Sequence, residues 1–337
     1  MPRKTPSLAR GVPPTLLEFA TRAQDSHALR RAMRPVLREW VPFDAYCVNA
    51  CDPVTRAITS SVGDGLSPED ARRLFAIERR GKDVNLLADL GVSRPNVVTV
   101  SAATGGAPNE SERMRTLFLP RGFVDELRAA LALGDHVWGY LHLFRKGSAF
   151  GRQDVQRIAA VAPVLALGLA RSTVAPQGVK RALLPPELVE LDGRGEILSA
   201  SPAARKILAS LGDSPAHHGV YAANAGLAAG CFRSPMGEWL AFRRLDVGGR
   251  AVVLIDRARP HEVQRTTMLA FGLTARERQV ADLVIEGLSN VQLAAELRIA
   301  LHTAKDHVKA VLRKTGANTR VELPGLLASG SRSSAMA

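Results

Sequence analysis

The segment His302–Thr315 can bury only one side of a helix, and that constrains the chain more than any other feature. With residues placed about 100° apart around an axis, His302, Lys305, Asp306, Lys309 and Arg313 fall within about 100° of one another. Ala304, Val308, Val311 and Leu312 take the opposite side. One face is polar and mostly basic, and the other must be covered by neighbours. Those neighbours precede it. Thr274 and Glu277, three apart, form a capping box in which hydroxyl and carboxylate each satisfy a backbone N–H left open at a helix start. Val280, Leu283 and Val284 follow at helical spacing, and Gly287 stops the run. Ser289 and Gln292 make a second capping box before a short helix whose inner face is Leu293, Ala294 and Leu297. A tight turn at 298–301 then leads into the third helix, which Gly316 ends.

A short helix, a tight turn and a helix with one polar side give a helix-turn-helix, whose second helix can lie in a DNA major groove about 12 Å wide. Side-chain chemistry then assigns roles. Thr303 sits near the helix start, where a hydroxyl and open N–H groups can hold a phosphate. Lys305 and Lys309 can reach guanine O6/N7 or phosphate, and Asp306 can accept only from a base donor such as cytosine N4. Arg313 and Lys314, further along, are expected at the backbone. The expected DNA-facing set is therefore His302, Thr303, Lys305, Asp306, Lys309, Arg313 and Lys314.

Composition agrees with a polyanionic partner without identifying one. Lys and Arg number 45 against 32 Asp and Glu, for a net charge of +13. At 337 residues and 46% hydrophobic, the chain can build two or three ordinary domains. Three cysteines, Cys47, Cys51 and Cys231, cannot make a disulfide scaffold or a zinc site, so they read as buried thiols in a reducing compartment. The longest uncharged apolar run, Ile158–Ala170, contains Pro163 and falls short of the roughly 20 residues a spanning helix needs. The expectation is a cytoplasmic protein with no membrane partner.

The chain divides at breaker-rich seams. Residues 1–18 read as a basic, flexible tail. Residues 19–172 read as an α+β domain, with a helix through Ala28–Trp40 and strands at Ala45–Asn49, Ala57–Ser61, Val97–Val100, Phe123–Leu131 and Val137–Phe144. In the last of these, Val137, Gly139, Leu141 and Leu143 are expected on one face. A long apolar helix, Val155–Leu169, closes the domain. After a seam at Ser172–Lys180, residues 183–258 read as a smaller α+β unit. Its strands are Leu188–Leu191, Ile197–Ala200, Glu238–Arg243 and Ala251–Ile255, with the turn Asp192–Gly195 and a helix over Pro202–Leu208. A second seam, Arg257–Arg265, precedes an all-helical unit over 266–330. No repeat of fixed period is visible.

Residues 272–323, about a sixth of the chain, resemble the C-terminal DNA-binding domain of the LuxR/FixJ class of bacterial transcription regulators. The resemblance rests on Leu273-Thr274, Arg276-Glu277, Gly287, Ser289-Asn290, Ala294, Leu297, Thr303, Lys305, His307, Val308, Lys314 and Arg320. It implies a fourth helix that often makes a dimer contact. The sequence departs from the family at Ala300, where Ser or Thr usually caps the recognition helix, and at Ala304 and Thr315, which pack more lightly. Pro324 departs further. If Thr319 caps the fourth helix, Pro324 stands at its fifth position and costs on the order of 3 kcal/mol, so that helix is expected to be compromised.

Residues 19–172 resemble a GAF domain, as found before such DNA-binding domains in actinobacterial regulators. The matching stretches are Phe43-Asp44-Ala45, Asp52-Pro53-Val54-Thr55, Leu87-Ala88-Asp89-Leu90, Ala103-Thr104-Gly105-Gly106, Asp125-Glu126-Leu127-Arg128 and Trp138-Gly139. Residues 183–258 resemble a PAS fold through Leu191-Asp192-Gly193 and Ser199-Ala200-Ser201-Pro202-Ala203. Cys47, Trp138, Tyr140 and His142 are candidates to line a ligand cavity, with core packing as the competing reading. His217, His218 and Tyr221 fall in an expected loop, and Thr104-Gly105-Gly106 reads as a turn. No G-x-S-x-G, H-E-x-x-H or C-x-x-C pattern appears, and no acidic receiver cluster precedes the last unit.

The expectation is a multidomain regulator and not an enzyme: GAF-like and PAS-like sensor units controlling a helix-turn-helix that binds double-stranded DNA. No cofactor or metal is evident, and a small-molecule effector stays open. A homodimer is expected through the N-terminal half, because the long helix is apolar on most sides and the fourth helix is weakened. RNA polymerase is a further candidate partner. The alternatives are a protein-binding adaptor, a sigma-like partner of RNA polymerase, or a catalytic GAF-like enzyme.

Overall fold

The computed structural model describes residues 12–23, 25–64, 67–91, 96–175, 186–192, 197–210, 230–234, 237–247 and 250–329. His217, His218 and Tyr221 lie outside these, as do most of the turn after Asp192 and the seam after Ala175.

The first unit is built on an antiparallel five-stranded sheet in the order β2-β1-β5-β4-β3. Its strands are β1 (Ala45–Cys51), β2 (Ile58–Asp64), β3 (Val97–Thr99), β4 (Phe123–Leu133) and β5 (His136–Lys146). Both β4 and β5 are buried on both faces along most of their length, so their sequences show no clean alternation. A bulge between Leu131 and Ala132 turns Val137 away from Leu141 and Leu143. Val137 packs with Tyr140 and Ala130, which corrects the single face expected for that strand.

Three helices cover one side of this sheet: α1 (Pro14–Arg22), α2 (Ser26–Trp40) and the long helix Arg152–Thr173. Leu16, Met33, Leu37, Leu127, Leu141 and Leu165 meet there in the main core. Residues 14–18, expected in a flexible tail, are helical. Pro14 sits in the first turn of α1, where its missing N–H costs nothing, and Leu16 and Ala20 are fully buried. Among the described residues the long helix is the one element apolar enough to cross a membrane by length and composition, yet 56% of its apolar window is buried inside the protein. Gly168 lets it cross α1 and α2 closely: a Cβ there would stand 2.8 Å from Leu29 Cδ2 and 3.0 Å from the Ala20 Cα. Most of its apolar residues are covered within the chain, while Ala159 stays exposed and Ala160, Pro163 and Leu167 half-buried on its outer side.

The opposite side of the sheet lies beneath α3 (Pro68–Arg80) and the loops around Arg113, with an apolar cluster around Phe118 and Phe144, another around Val137 and Tyr140, and a buried charged network beside them. Glu126 stands at its centre, fully buried. It accepts from Arg113 Nε at 2.6 Å, Arg128 Nε at 2.8 Å and His142 Nδ1 at 3.1 Å. Asp83 also pairs with Arg113, and Glu78 with Arg128.

The second unit repeats the layout without repeating the sequence. Its strands are β6 (Glu187–Leu191), β7 (Ile197–Ala200), β8 (Gly230–Arg233), β9 (Trp239–Val247) and β10 (Arg250–Arg257). Their order, β7-β6-β10-β9-β8, matches that of the first sheet position for position. The strand β8 was not expected. One helix, Pro202–Ser210, covers one face with Ala204 and Leu208 against Val189, Phe232, Leu240, Phe242, Val253 and Ile255.

The seam before the last unit is also corrected. Pro260–Ala270 is a helix, started by Pro260 and held by Glu262, which accepts from the Arg259 N–H and takes both ends of the Arg243 guanidinium at 2.7 and 2.8 Å. Leu269 enters the first core and Met268 the C-terminal core, so this helix ties the units together.

Candidate nucleic-acid interface

The helix-turn-helix forms from the residues that the sequence marked. The first helix is Ala275–Ile285. Thr274 accepts from the Glu277 N–H at 3.3 Å, and Glu277 takes the Thr274 N–H at 2.7 Å. Gly287, at φ +89°, ends it in the left-handed conformation that glycine adopts without strain. The second helix is Asn290–Glu296, with the reciprocal Ser289–Gln292 bonds at 3.3 and 2.8 Å. It ends on the same kind of stop, but the left-handed residue is Arg298, at φ +51°. The Ile299 N–H reaches the Ala294 carbonyl at 2.9 Å, and Arg276 donates to the Leu297 carbonyl at 2.8 Å, which pins the turn.

The recognition helix runs Leu301–Thr315 and stops at Gly316, φ +78°. Ala304, Val308 and Val311 are buried against Val280, Ala281, Val284 and Leu293. His302, Lys305, Asp306, Lys309 and Arg313 are all exposed, and Thr303 is half-buried with its hydroxyl 3.3 Å from His302 Nε2. The polar stripe is thus open to solvent along its length, although the helix is packed into the body of the protein.

Lys314 departs from expectation. Its Nζ bonds Glu277 Oε2 at 2.6 Å and the Gly272 carbonyl at 3.0 Å. Burial pushes the Glu277 carboxyl up, but the Lys314 ammonium and the Thr274 N–H outweigh it and hold it below the usual carboxylate range. Lys314 is consequently a tie between the first and third helices.

Ala300 provides no side-chain cap, as its chemistry requires. Its backbone is already extended, at φ −68° and ψ 149°, the geometry a capping serine uses. Ala300→Ser is expected to stabilise this unit by about 0.5–2 kcal/mol, read as a raised midpoint in urea denaturation.

The fourth helix corrects the expectation for Pro324. It spans Glu322–Ser329, so Pro324 falls in the first turn, where an N–H has no helical partner to lose. Glu322 reaches back to the Asn318 N–H at 2.9 Å, and Leu323 and Leu327 are fully buried in the C-terminal core. Val321, by contrast, is 87% exposed.

Of the four ligand candidates in the first unit, Cys47, Tyr140 and His142 share one face of the sheet around Asn49, and Trp138 does not join them. Tyr140 and His142 lie under α3, where His142 is held by Glu126 and by Asn49 Nδ2 at 3.3 Å from its Nε2. The Cys47 thiol donates to Asn49 Oδ1 at 3.4 Å. Trp138 faces a different space, between the two α+β units.

Comparison with known proteins bears on the C-terminal unit. Residues 272–325 match the luxR family of bacterial regulatory proteins. A stretch of 50 residues is 42% identical to the response regulator Rre1 of Synechocystis, and one of 51 residues is 43% identical to the monoamine regulon transcriptional regulator of Klebsiella aerogenes. Each alignment covers 15% of this chain and 22% of the relative, so the chain spans about a fifth of those proteins' length. The crystal structure of Escherichia coli SdiA aligns with 94% of this chain and 95% of its own at 13% identity, with a TM-score of 0.35. Residues 272–325 carry the helix-turn-helix of the luxR family of bacterial regulatory proteins, at the end of an otherwise α+β chain.

Proposed function

We propose that the protein is a transcription regulator in which the helix Leu301–Thr315 reads a DNA major groove. One observation carries this reading. The stripe His302, Lys305, Asp306, Lys309 and Arg313 is exposed while the opposite side of the same helix is locked into the core. Lys305 and Lys309 bond base edges or phosphates, Asp306 selects a base donor, Arg313 meets the backbone, and Thr303 holds a phosphate at the helix start. The two α+β units act as GAF-like and PAS-like sensors, joined to the reader through the helix Pro260–Ala270. Two copies bind half-sites about one helical turn apart. Their contact lies on the solvent side of the fourth helix, next to the exposed Val321.

Selection of bound fragments from a random duplex pool with the full-length chain tests this. The expected result is one enriched motif with two-fold symmetry. Asp306→Ala is expected to relax the preference at a single base pair of each half-site, with a change of about 1–3 kcal/mol in discrimination there. A pool that shows no enrichment, or an Asp306→Ala variant that binds every sequence equally less well, removes the assignment.

A further inference from the structure

The two α+β units enclose a cleft of about 700 Å³, including its open mouth. The start of α2 and the strands β1 and β2 form one wall, and β8 forms the other. Arg30 reaches it from the first unit and Arg233 from the second.

Arg30 is 2% exposed. Its Nε donates to the Ser26 carbonyl at 3.0 Å, its Nη1 to the Val48 carbonyl at 3.2 Å and its Nη2 to Ser60 Oγ at 2.8 Å. A guanidinium has five N–H groups, so two remain without a hydrogen bond among the described residues. No carboxylate bonds it there either. The same unit treats its other fully buried arginines differently: Arg113 meets Glu126 and Asp83, and Arg128 meets Glu126 and Glu78. A buried cation with no carboxylate bonded to it is costly, and burial lowers the Arg30 guanidinium to about 10, with the nearby Asp25 charge offsetting only part of the effect. Arg233 donates to the carbonyls of Thr173, Ala175 and Gly237, again with no carboxylate bonded among the described residues. The Ser26 hydroxyl is buried and has no hydrogen-bond partner among the described residues. Asp25 also lines the cleft, but its Oδ1 is occupied by the N–H groups of His27 and Ala28.

We propose that this cleft binds a small organic carboxylate. Its head group takes the two remaining N–H groups of Arg30, and its body lies against Trp138, Leu169 and Phe232, with Arg233 approaching from the second unit. Two N–H groups in one plane match the two oxygens of a carboxylate. A phosphate would leave further oxygens unbonded against the apolar wall. The ligand supplies a carboxylate bonded directly to Arg30, which Asp25 does not, and touches both units. The assignment stands apart from the reading of the DNA-facing helix.

Thermal melting of the full-length chain against acetate, pyruvate, succinate and benzoate tests it, with phosphate and chloride as controls. A ligand that binds only the folded state raises the midpoint in a saturable way. The expected result is such a rise with at least one of the acids and not with phosphate or chloride. Arg30→Gln also removes local backbone bonds, so Arg233→Gln and Ser26→Ala carry the comparison. Arg233→Gln is expected to weaken the acid by about tenfold or more, and Ser26→Ala by a few-fold. A chain unresponsive to all four acids, an equal response to phosphate or chloride, or unchanged affinity in both variants would overturn the proposal.

Discussion

Reversing both exposed cations of the recognition helix, Lys305→Glu with Lys309→Glu, is expected to lower DNA affinity by about a hundredfold or more. Each lysine that bonds a base edge or phosphate contributes about 1–3 kcal/mol, and reversal replaces that attraction with repulsion. Where a lysine meets a phosphate, its loss lowers the slope of log K against log salt by about 1, so the double variant is expected to lower it by about 2. The fold should not suffer. Both side chains are exposed, and neither is hydrogen-bonded or ion-paired among the described residues. Titration of a labelled duplex at several salt concentrations, beside a thermal melt of the same preparation, separates the two effects. An unchanged slope with an unchanged melt would place the interface elsewhere. Lys314→Ala is the internal contrast. It breaks the tie to Glu277 and should lower the melting temperature of the C-terminal unit first.

The second large effect is in the first unit. Glu126→Gln is expected to destabilise the protein by about 3–5 kcal/mol, because it removes the shared carboxylate from two buried guanidinium groups. In a unit of this size that corresponds to a fall of about 10 °C or more in the melting temperature. The proton positions follow from the bonds. Asn49 Oδ1 accepts from Ser61 Oγ at 2.5 Å, which directs the Asn49 amide nitrogen at His142 Nε2. His142 is thus neutral, with Nε2 accepting and Nδ1–H donating to Glu126. Burial holds the His142 imidazole below its usual 6.5, more strongly than the Glu126 bond raises it. The unfolded chain then takes up the proton first, and stability falls as the pH drops through about 6.5. Burial also pushes the Glu126 carboxyl up, but Arg113 and Arg128 outweigh it and hold it well below its usual 4.5. Its contribution is present above about pH 4.5 and is lost as the pH falls toward the folded value. A series of melts from pH 8 to pH 3 should show both losses in the natural chain, and a smaller second loss in Glu126→Gln, where Asp83, Glu262 and Glu277 still titrate.

Much of the C-terminal unit was legible as sequence because its signals are local. Capping boxes, glycine stops and the spacing of Ala304, Val308 and Val311 act within a few residues, and each lies where its chemistry placed it. The errors came where a partner distant in sequence decides. Lys314 looks like one more cation at the end of a basic helix, and only the approach of Glu277, 37 residues earlier, turns it inward. Pro324 reads as a helix breaker, but the helix starts only at Glu322, which accepts from the Asn318 N–H and the Thr319 hydroxyl, so Pro324 falls in its first turn. The long helix Arg152–Thr173 advertised an open apolar surface, yet α1, missed in the sequence, covers part of it through Leu16 and Ala20. Arg298 gave no sign of its left-handed backbone, which the turn imposes.

The sequence by itself determined where the three helices between Thr274 and Gly316 start and stop and which side of the recognition helix stays wet, since both depend on contacts three or four residues apart. Only the tertiary structure decided which charges are spent inside. Arg113, Arg128 and Lys314 find carboxylates, while Arg30 finds none among the described residues and is left facing a cleft. A charged side chain carries the same letter in both situations. Its role is set by the counter-ion that folding brings within bonding distance, and that counter-ion can stand anywhere along the chain.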